Sequence, residues 1–293
     1  MAINPISTFH PSPSKPKLRL PPGSWDTHCH VFGPRPRFPF ASPAFDGRAD
    51  APNEKLFALH THLGIERCVI VQSTTHGLDN SVVDDALAAK AGRYLGIALV
   101  PGDVPDAELK RLDRLGFRGC RFNFMHHIQK GAGIEQVLAL APRLAAIGWH
   151  LQVHMEGELI GELTPKLARS AVPVVIDHVG RIDAGPGLAQ PAFQALLRAM
   201  ANPKFWVKVS GCDRNTRTGP PYADAVAFAH KLVTEFPDRC VWGTDWPHPN
   251  HQGPTPDDGE LVDIIAGMAP TAELLAKLMV DNPVRLYERR SAA

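Results

Sequence analysis

A chain of 293 residues, 44% hydrophobic and 21% charged, can bury one large core and has the composition of a soluble globular protein. Its formal net charge of +1 provides no global field for nucleic acid or an anionic membrane, so neither is expected as a partner and any preference for anions has to be local to a site. Five cysteines without C-x-x-C spacing argue against a disulfide framework or a zinc module; with no run near the roughly 18 apolar residues of a membrane span and no secretory pattern at the N-terminus, a cytoplasmic protein with reduced thiols is expected.

Residues 1–23 contain Pro5, Pro11, Pro13, Pro16, Pro21 and Pro22, a density that excludes helix interiors and central strands, so they read as an extended surface leader. The run Trp25-Asp26-Thr27-His28-Cys29-His30-Val31-Phe32 follows. Strand side chains alternate between faces, so His28 and His30 share one face and can converge on a single atom. The segment from Gly33 to Pro52 is too long for an ordinary connection and reads as a lid or a packed surface loop. Apolar β-like runs then alternate with helical stretches. Strands are predicted at 25–32, 67–74, 94–100, 117–124, 149–155, 172–179, 205–211 and 240–245, and helices at 53–63, 80–91, 106–115, 134–147, 158–170, 188–201 and 222–236, with a helical region over 259–287. Such alternation predicts an α/β fold, a (β/α)8 TIM barrel forming one domain over 24–293; no Gly-rich phosphate fingerprint follows any strand.

In a barrel of this kind the working face lies at the C-terminal ends of the strands, so polar residues there are the candidates. Strand one contributes His28 and His30, strand two Gln72 to His76, strand four Arg121 and Asn123, strand five His154 and Glu156. Strand six contributes Asp177, His178 and Arg181, strand seven Ser210, Asp213 and Arg214, and strand eight Asp245 and His248. Singly, each has an ordinary structural explanation. Together, imidazoles from strands one and six with a carboxylate from strand eight can bind a metal or polarise a carbonyl while a carboxylate deprotonates water.

The segments Asp26 to Gly33, Arg121 to Phe124, Ile176 to Arg181, Trp242 to Pro249 and Asn282 to Tyr287 resemble the amidohydrolase superfamily, in particular its lactone-hydrolase branch, over about residues 20–288. The resemblance implies hydrolysis of a cyclic ester without a covalent intermediate. Asp245 would be the general base, and His28, His30 and His178 would surround the lactone carbonyl. Arg121, Arg214 and Arg181, with Thr74 and His76, would bind substrate, because a planar guanidinium matches a carboxylate bidentately. Two positions depart from the pyrone-dicarboxylate pattern of that branch: Met125-His126-His127 stands where basic residues are expected, and His154 where a tyrosine is expected. The second departure implies a metal set of His28, His30, His154 and Asp245 holding zinc or manganese, against a metal-free site of the pyrone type. Strand four has no lysine for the carbamylated bridge of binuclear members.

The expected function is therefore hydrolysis of a small anionic lactone, resembling a pyrone dicarboxylate, in aromatic-acid catabolism. Two alternatives stand beside it: a metal-dependent hydrolase or isomerase of a sulfomuconolactone or sugar-acid lactone, and a barrel that binds an organic acid without turning it over.

Overall fold

A computed structural model describes residues 7–125, 132–251 and 253–288. The eight apolar runs form β1 (Trp25–Cys29), β2 (Arg67–Val71), β3 (Tyr94–Ala98), β4 (Phe117–Phe124), β5 (His150–Met155), β6 (Val174–Ile176), β7 (Phe205–Lys208) and β8 (Cys240–Val241). They pair in parallel in chain order. Three backbone hydrogen bonds join the first strand to the last: Thr27 N to Trp242 O (2.9 Å), Asp245 N to His28 O (2.7 Å) and His30 N to Trp246 O (2.7 Å). The sheet is thus nearly closed, and each of the first seven strands is followed by a helix, giving a (β/α)8 barrel. Among the described residues, no helix is long and apolar enough to cross a membrane.

All strands but the fourth and fifth end earlier than predicted, and for strands one and eight the reason is local. Beyond Val241 the Asp26 carboxylate replaces ladder contacts, its Oδ1 accepting from His28 N (2.9 Å) and Thr244 N (3.2 Å). The Gly243 backbone passes so close that a Cβ there would stand 2.4 Å from His28 N. The register between β1 and β2 also shifts between Asp26 and Cys29, a bulge that re-aims the side chains beyond it. Trp25 therefore packs with Val69, Val71, Leu95 and Ile97 under Tyr287, while His28, three residues on, also points into the barrel and reaches Lys208 at the end of β7. The predicted 259–287 region consists of short helical pieces; Ala269, forced out of helical geometry by Pro270, separates two of them.

Residues 7–23 run along this C-terminal region. Ser14 N donates to Asp257 (3.0 Å), Lys17 N and Leu18 N donate to Asp263 Oδ1 (2.7 and 2.9 Å), and Phe9 meets Trp246 at 5.2 Å between ring centroids. The loop over 33–52 is packed: Phe32 and Ala51 exchange two 2.8 Å backbone bonds, and Arg35 Nε donates to Asp50 Oδ1 (3.1 Å).

Candidate active site

At the C-terminal ends of the strands lies a cavity of about 480 Å³ whose wall includes His30, Thr74, Arg121, His154, His178, Arg181, Arg214 and Asp245. Its centre is Asp245, 2% exposed and held in the left-handed region at φ 63°, a conformation that costs a non-glycine residue about 1 kcal/mol or more. The turn aims its carboxylate across the barrel. Oδ2 accepts from Arg214 Nε (2.5 Å), leaving Oδ1 facing three imidazoles: His30 Nε2 at 3.2 Å, His28 Nε2 at 3.7 Å and His178 Nε2 at 3.8 Å. Burial pushes the Asp245 carboxyl up, but Arg214 and the surrounding imidazoles outweigh it and hold the group well below its ordinary 3.8.

The protons on these rings follow from their outer partners. His30 Nδ1 lies 2.6 Å from the Val71 carbonyl, which can only accept, so a neutral His30 presents a lone pair to Asp245; that 3.2 Å approach is favourable only with a proton or a cation between the two. His178, turned inward at φ 50°, is held by Ser210 Oγ at Nδ1 (2.9 Å). Beneath His28 lies Lys208, 0% exposed, whose ammonium donates to Thr27 O (2.8 Å), Gln152 Oε1 (2.8 Å) and His28 Nδ1 (3.3 Å). Asp177 Oδ1 is also 3.3 Å from His28 Nδ1 and favours the opposite tautomer. With Lys208 donating, His28 carries its proton on Nε2, facing Asp245; with Asp177 accepting, Nε2 offers a lone pair. Burial lowers the Lys208 amine to about 8 despite Asp177.

The guanidinium groups differ in how much of their hydrogen-bonding capacity the protein uses. Arg214 spends Nε on Asp245 and Nη1 on Pro249 O (3.0 Å), while its buried Nη2 has no hydrogen-bond partner among the described residues. Arg121 donates from Nη2 to Gln72 O (3.3 Å) and leaves a buried Nε unpaired among them. Arg181 sits at φ 53°, its basicity reduced to about 10 by burial and by Arg214. Thr74 lies on the cavity wall. His76, expected as a substrate contact, does not line it. Its Nδ1 is 3.0 Å from Pro39 O and its Nε2 accepts from Gly33 N (3.3 Å), so both ring nitrogens secure the 33–52 loop.

His154 lies on the wall with Nδ1 3.3 Å from Asn123 Oδ1 and a buried Nε2 that has no partner among the described residues. At this site the ligand atoms that all lie within 4.8 Å of one another belong to His28, His178 and Asp245; of the expected metal set, neither His30 nor His154 is in that group. His126 and His127 fall outside the described residues. Three residues on the site, Lys208, Arg48 and Asn250, were not reached from the sequence. Lys208 left only a weak signal, a lysine inside an apolar run, and Arg48, on the loop, left none.

Burial pulls His28, His30, His154 and His178 below 6.5, and His150, deeper in the barrel, to about 3. The folded state therefore keeps these rings neutral while the unfolded chain takes up protons below about pH 6.5, each ring costing up to about 1.4 kcal/mol per pH unit. His248 opposes them as a single group, because Asp258 outweighs burial and raises it. The Tm, followed by circular dichroism, should fall as pH is lowered from about 7 to about 5; a flat or rising Tm would contradict this balance.

The family model for amidohydrolases matches residues 25–289. The 2-pyrone-4,6-dicarboxylate hydrolase of Comamonas testosteroni is 43% identical over 288 residues, covering 95% of this chain and 94% of the relative. The 4-sulfomuconolactone hydrolase of Hydrogenophaga intermedia is 39% identical over 274 residues, covering 92% and 89%. A solved structure from Pseudomonas putida is 32% identical and superposes with a TM-score of 0.78, covering 93% of this chain and 100% of that one.

Proposed function

The chain belongs to the amidohydrolase family, and we propose that it is a hydrolase that opens a small anionic lactone by direct attack of water, in aromatic-acid catabolism. The observation that carries this is the Asp245 carboxylate, one oxygen tied to Arg214 and the other open to three imidazole Nε2 atoms. A pure binding protein has little use for a water-activating carboxylate in that setting. Asp245 Oδ1 takes a proton from water, the water oxygen attacks the lactone carbonyl, and His28 and His178 donate from Nε2 to the oxygen that gains charge. The ring C–O bond then breaks and its oxygen recovers the proton held by Asp245. Arg121, Arg181 and Arg214 orient the substrate through its anionic groups. We place the reaction in the cytoplasm, where the five buried free thiols stay reduced, and take residues 24–293 as one catalytic domain with 1–23 as its extension.

Truncating Arg121 or Arg214 to Ala should raise KM at least about 10-fold on any lactone the parent opens, as expected for loss of a charge-assisted contact. Arg214→Ala should also lower kcat, because it releases Asp245. The test is steady-state kinetics on a panel of pyrone, muconolactone and sugar lactones; a parent inactive on all of them, or variants with the parent kcat/KM throughout, would refute the proposal.

The donor set also fits a divalent cation. His28 Nε2 is buried without a hydrogen-bond partner among the described residues, and the His30 to Asp245 approach calls for a positive charge between them. Zinc or manganese held by His28, His30, His178 and Asp245, with His154 on the same wall, would polarise the carbonyl as a Lewis acid and make water more acidic. Elemental analysis decides between the two forms of the site. About one ion per chain, lost together with activity on chelation, supports the metal, and metal-free protein with full activity supports imidazoles alone. His154→Tyr lowers metal content if His154 is a ligand and changes only KM if it is a substrate contact.

A further inference from the structure

We propose that Arg48, delivered by the loop after β1, is a further specificity residue of this site, holding one of the substrate's anionic groups in addition to the contacts of Arg121, Arg181 and Arg214. This rests on the lactone-hydrolase reading and deepens it.

Three observations carry the assignment. First, Arg48 stands on the wall between two spaces, lining both the catalytic cavity and an adjoining one of about 710 Å³; Thr74, Arg121 and Asn250 share that position. An anion seated between Arg48 and Arg121 would meet guanidinium groups from two different elements, one on β4 and one on the loop.

Second, the side chain is already immobilised. Its Nη1 donates to Thr75 Oγ1 (2.5 Å) and its Nη2 to Asn250 Oδ1, while the guanidinium lies 4.6 Å from the Phe45 ring centroid. The loop is pinned in turn by the Phe32 to Ala51 bridge and by Arg35 on Asp50. Ordering a long cation usually offsets much of the gain from binding an anion, and here that ordering precedes the ligand.

Third, the charge of Arg48 is not balanced by the groups that hold it. Thr75 and Asn250, its two hydrogen-bond partners among the described residues, are neutral, whereas Arg214 pairs with Asp245 and Arg121 has Asp177 at 3.8 Å. Arg48 is half-buried, and although burial lowers its basicity a guanidinium remains charged at neutral pH. A fixed, partly desolvated cation on a cavity wall with only neutral partners is a built position for an anion.

The test is calorimetric titration of pyridine-2,4-dicarboxylate, a flat dianion that cannot be hydrolysed, and of its two monocarboxylates, pyridine-2-carboxylate and pyridine-4-carboxylate. Arg48→Met, which keeps the stem, should weaken the dicarboxylate at least about 10-fold while leaving one of the two monocarboxylates at parent affinity. Arg48→Lys should recover part of the loss. An equal loss for all three ligands, no loss for the dicarboxylate, or no dicarboxylate binding by the parent would overturn the role of Arg48. Turnover of the lactone panel is read separately: a parent that binds the dianion through Arg48 yet opens no lactone refutes the hydrolase reading and leaves the anion position standing.

Discussion

Asp245→Asn should lower kcat at least about 10²-fold on any lactone the parent opens, the low end for removal of a positioned general base. The two side chains are nearly isosteric, so the amide can occupy the same turn at φ 63° and still accept from Arg214 Nε through its oxygen. What it cannot do is take a proton from water. The cost to folding is a weaker contact with Arg214, whose charge then lacks the carboxylate 2.5 Å away, so Tm should fall while the circular dichroism spectrum is retained. KM should move much less than kcat, because the arginines that hold the substrate are untouched. A folded Asn variant with parent-like kcat would remove Asp245 from the chemistry.

The second large effect is expected from a residue that touches no substrate. Lys208→Met deletes a fully buried ammonium with three acceptors around it and leaves Asp177 without one of its nearby cations. Breaking a buried charge cluster by removing one member typically costs about 3 kcal/mol or more, which denaturant unfolding would read directly. Catalysis should fall too, at least about 10-fold, by a separate route. Without Lys208, the partner left at His28 Nδ1 is Asp177 Oδ1 at 3.3 Å, which draws the ring proton to Nδ1 and strips Nε2 of the hydrogen it would donate to the carbonyl. If a cation is resident in the site, the same shift favours its binding, so metal content measured in this variant distinguishes the two forms of the mechanism. A Met variant as stable and as active as the parent would show that the Nζ contacts contribute nothing.

Much of this protein is readable from local pattern. Alternating apolar runs and helical stretches specify the barrel, because burial on both faces of a parallel strand and on one face of its covering helix is written in residue types a few positions apart. Once the barrel is known, strand ends single out His28, His30, Arg121, His178, Arg181, Arg214 and Asp245, and the structure brings these seven side chains together. The sequence does not specify how they are used. Arg214 reads as a free substrate anchor and is half committed to Asp245; His76 reads as a site residue and serves as a loop tether. The bulge between Asp26 and Cys29 breaks the alternation that the run from Trp25 to Phe32 suggests. Lys208 meets His28 across 180 positions of chain, and Arg48 meets Asn250 across 202. Periodicity is a local property that hydrophobic burial imposes on neighbouring residues. The partner of a polar side chain is chosen by closure of the barrel, which brings strand seven beneath strand one and carries a loop without any period of its own to the mouth of the site.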